Sequence, residues 1–257
     1  MSAGSLAGRV VVVTRPREHA AALAERIRAA GGNPFLFPTI EILPIENTEA
    51  LAALIAELDL FEMAIFVSPN AVMKGHESVL ARRAWPARLR VASVGSGTAR
   101  ALERAGFKDV ISPSGLADSE ALAALLELQG LRGRGVVIFR GQGGREWLRE
   151  TLEARGVRVE YAECYRRARP PADPGALLER WQAGDIEAVS ITSAEGLANL
   201  FSMLGPVGGE YLRATPVFVP HPRIARAAKD SGVKEVVVTG RGDERTVAEM
   251  IAFFARV

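Results

Sequence analysis

The sequence predicts an α/β protein built from two diverged copies of one strand-and-helix pattern. The first observation behind this is internal similarity. Arg9–Arg15 (RVVVVTR) resembles Arg134–Arg140 (RGVVIFR), Gly31 resembles Gly156, and Ile65–Ser68 (IFVS) resembles Ser190–Ser193 (SITS), all at an offset of 125 residues. Gly106 matches Gly232 and Val110 matches Val236 at 126, and the run from Ser119 (SEALAALL) faces the run from Thr246 (TVAEMIAF) at 127. A fixed period of this kind marks a duplicated unit. The second observation is that short β-branched runs alternate with amphipathic stretches of helical length, the pattern of parallel sheets covered by helices on both faces.

In the first copy the strands are expected at Val10–Val13, Pro34–Phe37, Met63–Val67, Val91–Val94 and Val110–Ser112. Helices lie between them. Leu23 and Ile27 share a helix face at i, i+4, as do Leu148 and Leu152 in the second copy. Gly31, Gly106, Gly156 and Gly232 stand where helix ends favour positive φ. Ser68 before Pro69 reads as an N-cap followed by proline at the first helical position. Phe37–Glu46 (FPTIEILPIE) and Tyr161–Asp173 (YAECYRRARPPAD), at equivalent places in the two copies, read as linkers; Pro170 and Pro171 favour extended chain.

The 257 residues are 48% hydrophobic and 24% charged, enough for one large domain or two of about 125 residues. No run of about 18 apolar residues occurs and Met1–Gly8 lacks the layout of a secretory signal, so a cytoplasmic protein that neither spans nor binds membrane is expected. The lone Cys164 excludes an internal disulfide, and His19, His76 and His221 are too scattered for a metal cluster. A net charge of +2 is too small to argue for nucleic acid. Only four of the 32 basic residues are lysine. That bias fits a genome rich in G and C, or carboxylate and phosphate binding by arginine forks.

In open parallel sheets ligands sit beyond the carboxyl ends of the strands, where helix N-termini offer N–H groups to anions. The residues after the strands are Thr14-Arg15, Ser68-Pro69-Asn70, Gly95-Ser96-Gly97-Thr98, Arg140 to Arg145 (RGQGGR), Thr192-Ser193 and His221-Pro222-Arg223. GSGTAR at Gly95–Arg100 and GQGGRE at Gly141–Glu146 each lack the third glycine of a dinucleotide fingerprint, which argues against a nicotinamide oxidoreductase. The glycine turns either let helices pack near strands or receive an anion. Arg15 and Arg140, equivalent in the two copies, are carboxylate clamps or solvated loop charges; Ser68 and Ser193 are plain N-caps or caps that also touch a ligand. The copies differ at Tyr165, which faces Ile40, and at Thr98, which faces Ile224. Tyr165 either packs beside its linker or offers a hydroxyl.

The segments VVVTRP (Val11–Pro16), IFVSPNAV (Ile65–Val72), VGSGTARAL (Val94–Leu102), VVIFRGQGGREWLRETLEARG (Val136–Gly156), ECYRR (Glu163–Arg167) and ITSAEGL (Ile191–Leu197) together resemble the uroporphyrinogen-III synthase family in order and spacing, over nearly the full length. The resemblance implies two flavodoxin-like parallel-sheet domains joined by a two-segment linker. One domain would comprise residues 1–37 and 170–257, the other 45–162, with 38–44 and 163–169 as linkers and the substrate held in the cleft between domains. It implies a lyase that expels the terminal hydroxyl of hydroxymethylbilane as water, inverts the last pyrrole through a spiro intermediate and closes the ring, with no cofactor and no metal, acting as a monomer.

By match to the family's motifs, Tyr165 is expected near the leaving hydroxyl, and Thr98 with Gly97 and Ser96 is expected to hold substrate carboxylate. Arg15, Ser68, Asn70, Arg140, Gly141, Arg145, Thr192 and Ser193 complete the expected substrate-binding set. The chain departs from the family at His221–Ala225 (HPRIA), where a glycine-proline turn and a threonine pair are usual; Arg223 is expected to pair with a carboxylate instead. The alternative from another class is a non-catalytic α/β protein that binds an anionic small molecule.

Overall fold

The computed structural model describes residues 5–114, 118–125 and 130–256; Met1–Gly4 of the N-terminal run and Leu126 of the repeat match lie outside them. The chain divides into one unit of residues 1–41 and 168–257 and a second of residues 42–167. Each carries a five-stranded sheet.

In the first unit β1 (Val10–Val13), β2 (Asn33–Leu36), β8 (Ile186–Ser190), β9 (Val217–Val219) and β10 (Val236–Val238) lie in the order β10-β9-β8-β1-β2. The pairings β1–β2, β1–β8, β8–β9 and β9–β10 are all parallel. Four consecutive valines suit β1 because both its faces are covered. Val10 and Val12 join the cluster containing Trp181, Leu200 and Val217, whereas Val11 and Val13 join the one with Leu23, Ile27 and Met250. A strand buried on both sides reads as a continuous apolar run, and each valine so buried contributes roughly 1.5–3 kcal/mol. The covering helices are α1 (Arg17–Ala29), α7 (Gly175–Gln182), α8 (Ala194–Ala214), α9 (Pro222–Asp230) and α10 (Asp243–Phe254). α8 bends at Gly205-Pro206, where Gly205 adopts φ 65°.

The second unit orders its strands β3-β7-β6-β4-β5, from β3 (Glu41–Leu43), β4 (Met63–Phe66), β5 (Arg90–Ser93), β6 (Gly135–Gly141) and β7 (Arg158–Ala168). β4–β5, β4–β6 and β6–β7 pair in parallel. Its helices are α2 (Glu49–Ala56), α3 (Pro69–Leu80), α4 (Ser96–Arg104), α5 (Ser119–Ala123) and α6 (Trp147–Ala154). Met63, Ile65, Val136 and Ile138 pack toward Leu148 and Leu152 of α6. The opposite face carries Phe66 stacked on Phe139 at 4.6 Å, with Phe139 against Gly75 of α3.

The units do not coincide with the repeats. β1 and β2 of the first copy share a sheet with β8–β10 of the second, while β4 and β5 share theirs with β6 and β7. One expectation needs correction. Val110–Ser112, the counterpart of β10, forms no strand and makes a single bridge, Ile111 to Ala92. Residues 163–168 of the expected linker are in strand conformation, at the end of β7. β7 pairs with β6 from Arg158 to Glu163 and again at Tyr165.

Candidate functional site

At the carboxyl edge of the second unit's sheet, Ser68 follows β4, Gly95 follows β5, Gly141 ends β6 and Tyr165 lies near the end of β7. Parallel strands deliver these positions to one edge. Ser68 caps α3, its Oγ accepting from the Ala71 amide at 3.1 Å, and the same oxygen lies 3.1 Å from the Tyr165 hydroxyl. Tyr165 is 2% exposed. Its ring fills the space where a side chain on Gly141 would project, a Cβ there falling 2.6 Å from Cε2.

A register shift brings Tyr165 to that place. β6 and β7 pair regularly from Gly135–Arg158 to Arg140–Glu163, and then Gly141 pairs with Tyr165, leaving Cys164 as an extra residue. Val159 and Tyr161 face the α6 side. Cys164 faces α3, its Sγ 3.8 Å from the Ala71 carbonyl. Unbroken alternation would return Tyr165 to the face of Tyr161; the bulge keeps it on the α3 face, beside Ser68.

α4 begins differently from α3. Its N-cap is Gly95, with no side-chain cap, followed by exposed Ser96, half-buried Gly97 and buried Thr98. An N-terminus without a capping oxygen suits an anion. The duplication persists here in detail: Thr98 and Ala99 donate to the Gly95 carbonyl as Ile224 and Ala225 donate to that of His221. Thr98 and Ile224 therefore occupy the third position of equivalent helices, one with a hydroxyl and one without.

The expected arginines have protein partners. Arg140 is only 6% exposed at its side chain and pairs with Glu146 at 2.9 Å. It also donates to the carbonyls of Gly141 and Gly143 and stacks 4.2 Å over the Tyr161 ring. These contacts hold the Arg140 guanidinium against the loop that follows β6. Arg145 pairs with Glu120 at 2.5 Å; the guanidinium holds the Glu120 carboxyl below its usual range. Arg15, on the first unit, pairs with Asp243 at 2.5 Å.

Also on the first unit, Thr192 and Ser193 follow β8, and Ser193 caps α8 by accepting from the Gly196 amide at 2.9 Å. Arg223 is exposed in the first turn of α9, its amide donated to His221 Nδ1 at 3.1 Å. Asn70 is half-buried in the first turn of α3. A separate cavity of about 210 Å3 on the first unit, lined in part by Arg17, Pro38, Glu41 and Pro170, contains none of the expected residues. Among the described residues no three His, Cys, Asp or Glu side chains group as metal ligands.

Glu146 and Tyr161 are absent from the expected set. The Tyr161 hydroxyl donates to Glu146 Oε2 at 2.8 Å while Arg140 holds Oε1. These bonds, the one from Tyr161 foremost, keep the Glu146 carboxyl below its usual range. Burial, reinforced by Glu146, pushes the Tyr161 phenol up to about 12. In the sequence Glu146 only spoils a glycine fingerprint; the helix begins after it, at Trp147.

A family model described as "Uroporphyrinogen-III synthase HemD" matches residues 21–251. The uroporphyrinogen-III synthase of Salmonella typhimurium (strain LT2) is 33% identical over 235 residues, covering 91% of this chain and 96% of that protein. That of Escherichia coli (strain K12) is 32% identical over the same shares. Among solved structures, a mutant uroporphyrinogen III synthase from the extremely thermophilic bacterium Thermus thermophilus matches with a TM-score of 0.59 at 21% identity, covering 97% of this chain and 98% of that one. The Helicobacter pylori 26695 enzyme gives 0.62 at 14% identity, covering 95% and 99%. At these identities the structural likeness is one of fold.

Proposed function

The chain belongs to the uroporphyrinogen-III synthase family, and from that premise we propose that Tyr165 is the catalytic residue of its reaction. The enzyme is a hydro-lyase of tetrapyrrole biosynthesis. Its substrate in this reading is hydroxymethylbilane, closed to uroporphyrinogen III with loss of water and inversion of the last pyrrole.

The observation that carries the assignment is the Tyr165 hydroxyl at 3.1 Å from Ser68 Oγ, on the sheet edge that also presents the uncapped start of α4. Ser68 Oγ is already an acceptor for the Ala71 amide and has one proton to give. Donated to the phenol oxygen, that proton turns the phenol's own proton away from Ser68, toward the departing hydroxyl of the substrate. Protonation releases water and leaves an azafulvene cation, which the terminal pyrrole attacks through the ring carbon that already bears its methylene bridge, giving a spiro intermediate. The older bridge bond then breaks to a second azafulvene cation, and the inverted pyrrole closes on it through its free α carbon. The proton lost as that pyrrole regains aromaticity restores the phenol, so the sum is substrate to product plus water.

An ordinary tyrosine, with a pKa near 10, is a weak acid at neutral pH, so orientation of the folded substrate supplies more of the rate than proton transfer. Thr98 and the Gly97 amide hold a substrate carboxylate at the head of α4. Ser96, Asn70, Thr192, Ser193 and Arg223 are further polar contacts for an octacarboxylate. Arg15 and Arg145 are available to substrate only by exchanging the carboxylates of Asp243 and Glu120 that they now hold. No described helix is long and apolar enough to cross a membrane; the proposed working form is a cytoplasmic monomer, which sedimentation at assay concentration tests.

The deciding experiment gives purified protein fresh hydroxymethylbilane, oxidises the products and separates uroporphyrin isomers I and III. Spontaneous closure gives isomer I. Mostly isomer III from the wild type, with kcat lowered roughly 100-fold by Tyr165→Phe, the low end for general acid catalysis, supports the assignment. Unchanged kcat in Tyr165→Phe would remove Tyr165 from the chemistry. Isomer I at the blank rate from the wild type would favour a non-catalytic binding protein.

A further inference from the structure

We propose that Glu146, acting through Arg140, is a positioning residue that holds the bulge at the ends of β6 and β7 and thereby aims the Tyr165 phenol; this rests on the assignment of Tyr165 to the reaction. Tyr165 reaches Ser68 only because β7 carries one extra residue, and that irregularity has to be held. Two backbone contacts hold it: the Gln142 amide donates to the Tyr165 carbonyl at 2.8 Å, and the Arg140 carbonyl accepts from Cys164 Sγ at 3.3 Å. The second is made by β6 itself, whereas the first depends on where the loop after β6 lies.

That loop is rich in glycine, with Gly143 and Gly144 at φ 68° and 111°, and offers little stiffness of its own. Arg140 supplies it. Its guanidinium folds back over the loop and donates to the Gly141 and Gly143 carbonyls. Glu146 fixes the guanidinium from the far side of the loop, and the Tyr161 hydroxyl fixes Glu146. The Gly143 amide donates to Glu163 Oε1 at 3.4 Å, tying the loop to β7 once more. Each end of this chain of contacts meets β7, at Tyr161 on one side and at Tyr165 on the other. The hydrogen bonds of Glu146 run to Arg140 and Tyr161, so its influence on the phenol passes through the loop.

The test is a double-mutant cycle on hydroxymethylbilane turnover, scored as isomer III. Glu146 is 49% exposed at its side chain, so Glu146→Ala opens no core cavity. Expected is a loss of about 10-fold in kcat with KM unchanged, smaller than the loss from Tyr165→Phe, as for a catalytic group displaced by a fraction of an ångström. In the Tyr165→Phe background the same change should cost nothing further, because the group it positions is gone. Arg140→Lys should likewise lower kcat and leave KM, whereas a substrate ligand at Arg140 would raise KM. Additive losses in the cycle, unchanged kcat in Glu146→Ala, or a raised KM with normal kcat in Arg140→Lys would each overturn the proposal. An inert Tyr165→Phe would overturn it together with the Tyr165 assignment, and that outcome is distinct because it appears in the single variant alone.

Discussion

Replacing Gly141 by alanine puts the strand-end geometry under the most direct test. Gly141 does not adopt a positive φ, so the backbone accepts alanine, and the whole effect falls on the Tyr165 ring. The new Cβ would lie 2.6 Å from Cε2 and 2.7 Å from Cζ, whereas ordinary contact begins near 3.4 Å, so the ring must retreat by close to an ångström. Tyr165 is 2% exposed and has little room to do so. The displacement breaks the 3.1 Å approach of the hydroxyl to Ser68. Overpacking of this kind costs about 1–3 kcal/mol, or a Tm lower by roughly 2–12 °C at 2–4 °C per kcal/mol. A 1 Å misplacement of a reacting group costs about 100-fold in rate. The expected result is therefore a folded protein whose kcat for isomer III falls to the level of Tyr165→Phe, with KM within about twofold of wild type. Calorimetry and the isomer assay read the two quantities separately. Wild-type kcat in Gly141→Ala would refute the claim that the position of this phenol matters.

Thr98→Val preserves shape and removes the hydroxyl proposed to hold a substrate carboxylate; KM should rise about 10-fold, the worth of a hydrogen bond to a charged group, and an unchanged KM in steady-state assays would exclude that contact. Burial pushes the Cys164 thiol up to about 12. At pH 8 about one thiol in 10,000 is then ionised, so native protein should resist disulfide reagents and react stoichiometrically once unfolded; fast native labelling would contradict the buried bulge. Burial also lowers the His76 pKa, its ring lying 5.1 Å edge-on to Phe107 and 6.3 Å from Trp85. The unfolded chain then binds the proton more readily, so this contribution to stability is complete above about pH 6.5 and is lost as the pH falls below it. Urea midpoints measured at about pH 7.5 and 5.5 should differ less in His76→Gln than in wild type, and an equal difference would assign the pH dependence elsewhere.

The duplication and the strands are legible because burial on both faces leaves a plain mark: RVVVVTR and RGVVIFR admit little besides central parallel strands. The edge is less legible. VISPS around Ile111 has the composition of a strand, yet it contributes one bridge, since propensity does not supply a partner. Among the site residues, the serine caps and the Gly95–Thr98 turn follow from local rules, and Ser68 and Ser193 cap their helices as those rules require. The orientation of Tyr165 does not follow from them. Tyr161 and Tyr165, four apart in one strand, would share a face under simple alternation, and nothing in ECYRR announces that the register slips at Cys164. Arg140 is hard to read for a related reason. Its place after a strand suggests a ligand, but its partners arise six residues on, across a glycine loop, and 21 residues on, in the neighbouring strand. A sequence read by periodicity finds which residues reach the sheet edge. Which of them face outward and which are held by one another depends on pairings between strands, where a single extra residue reverses the answer.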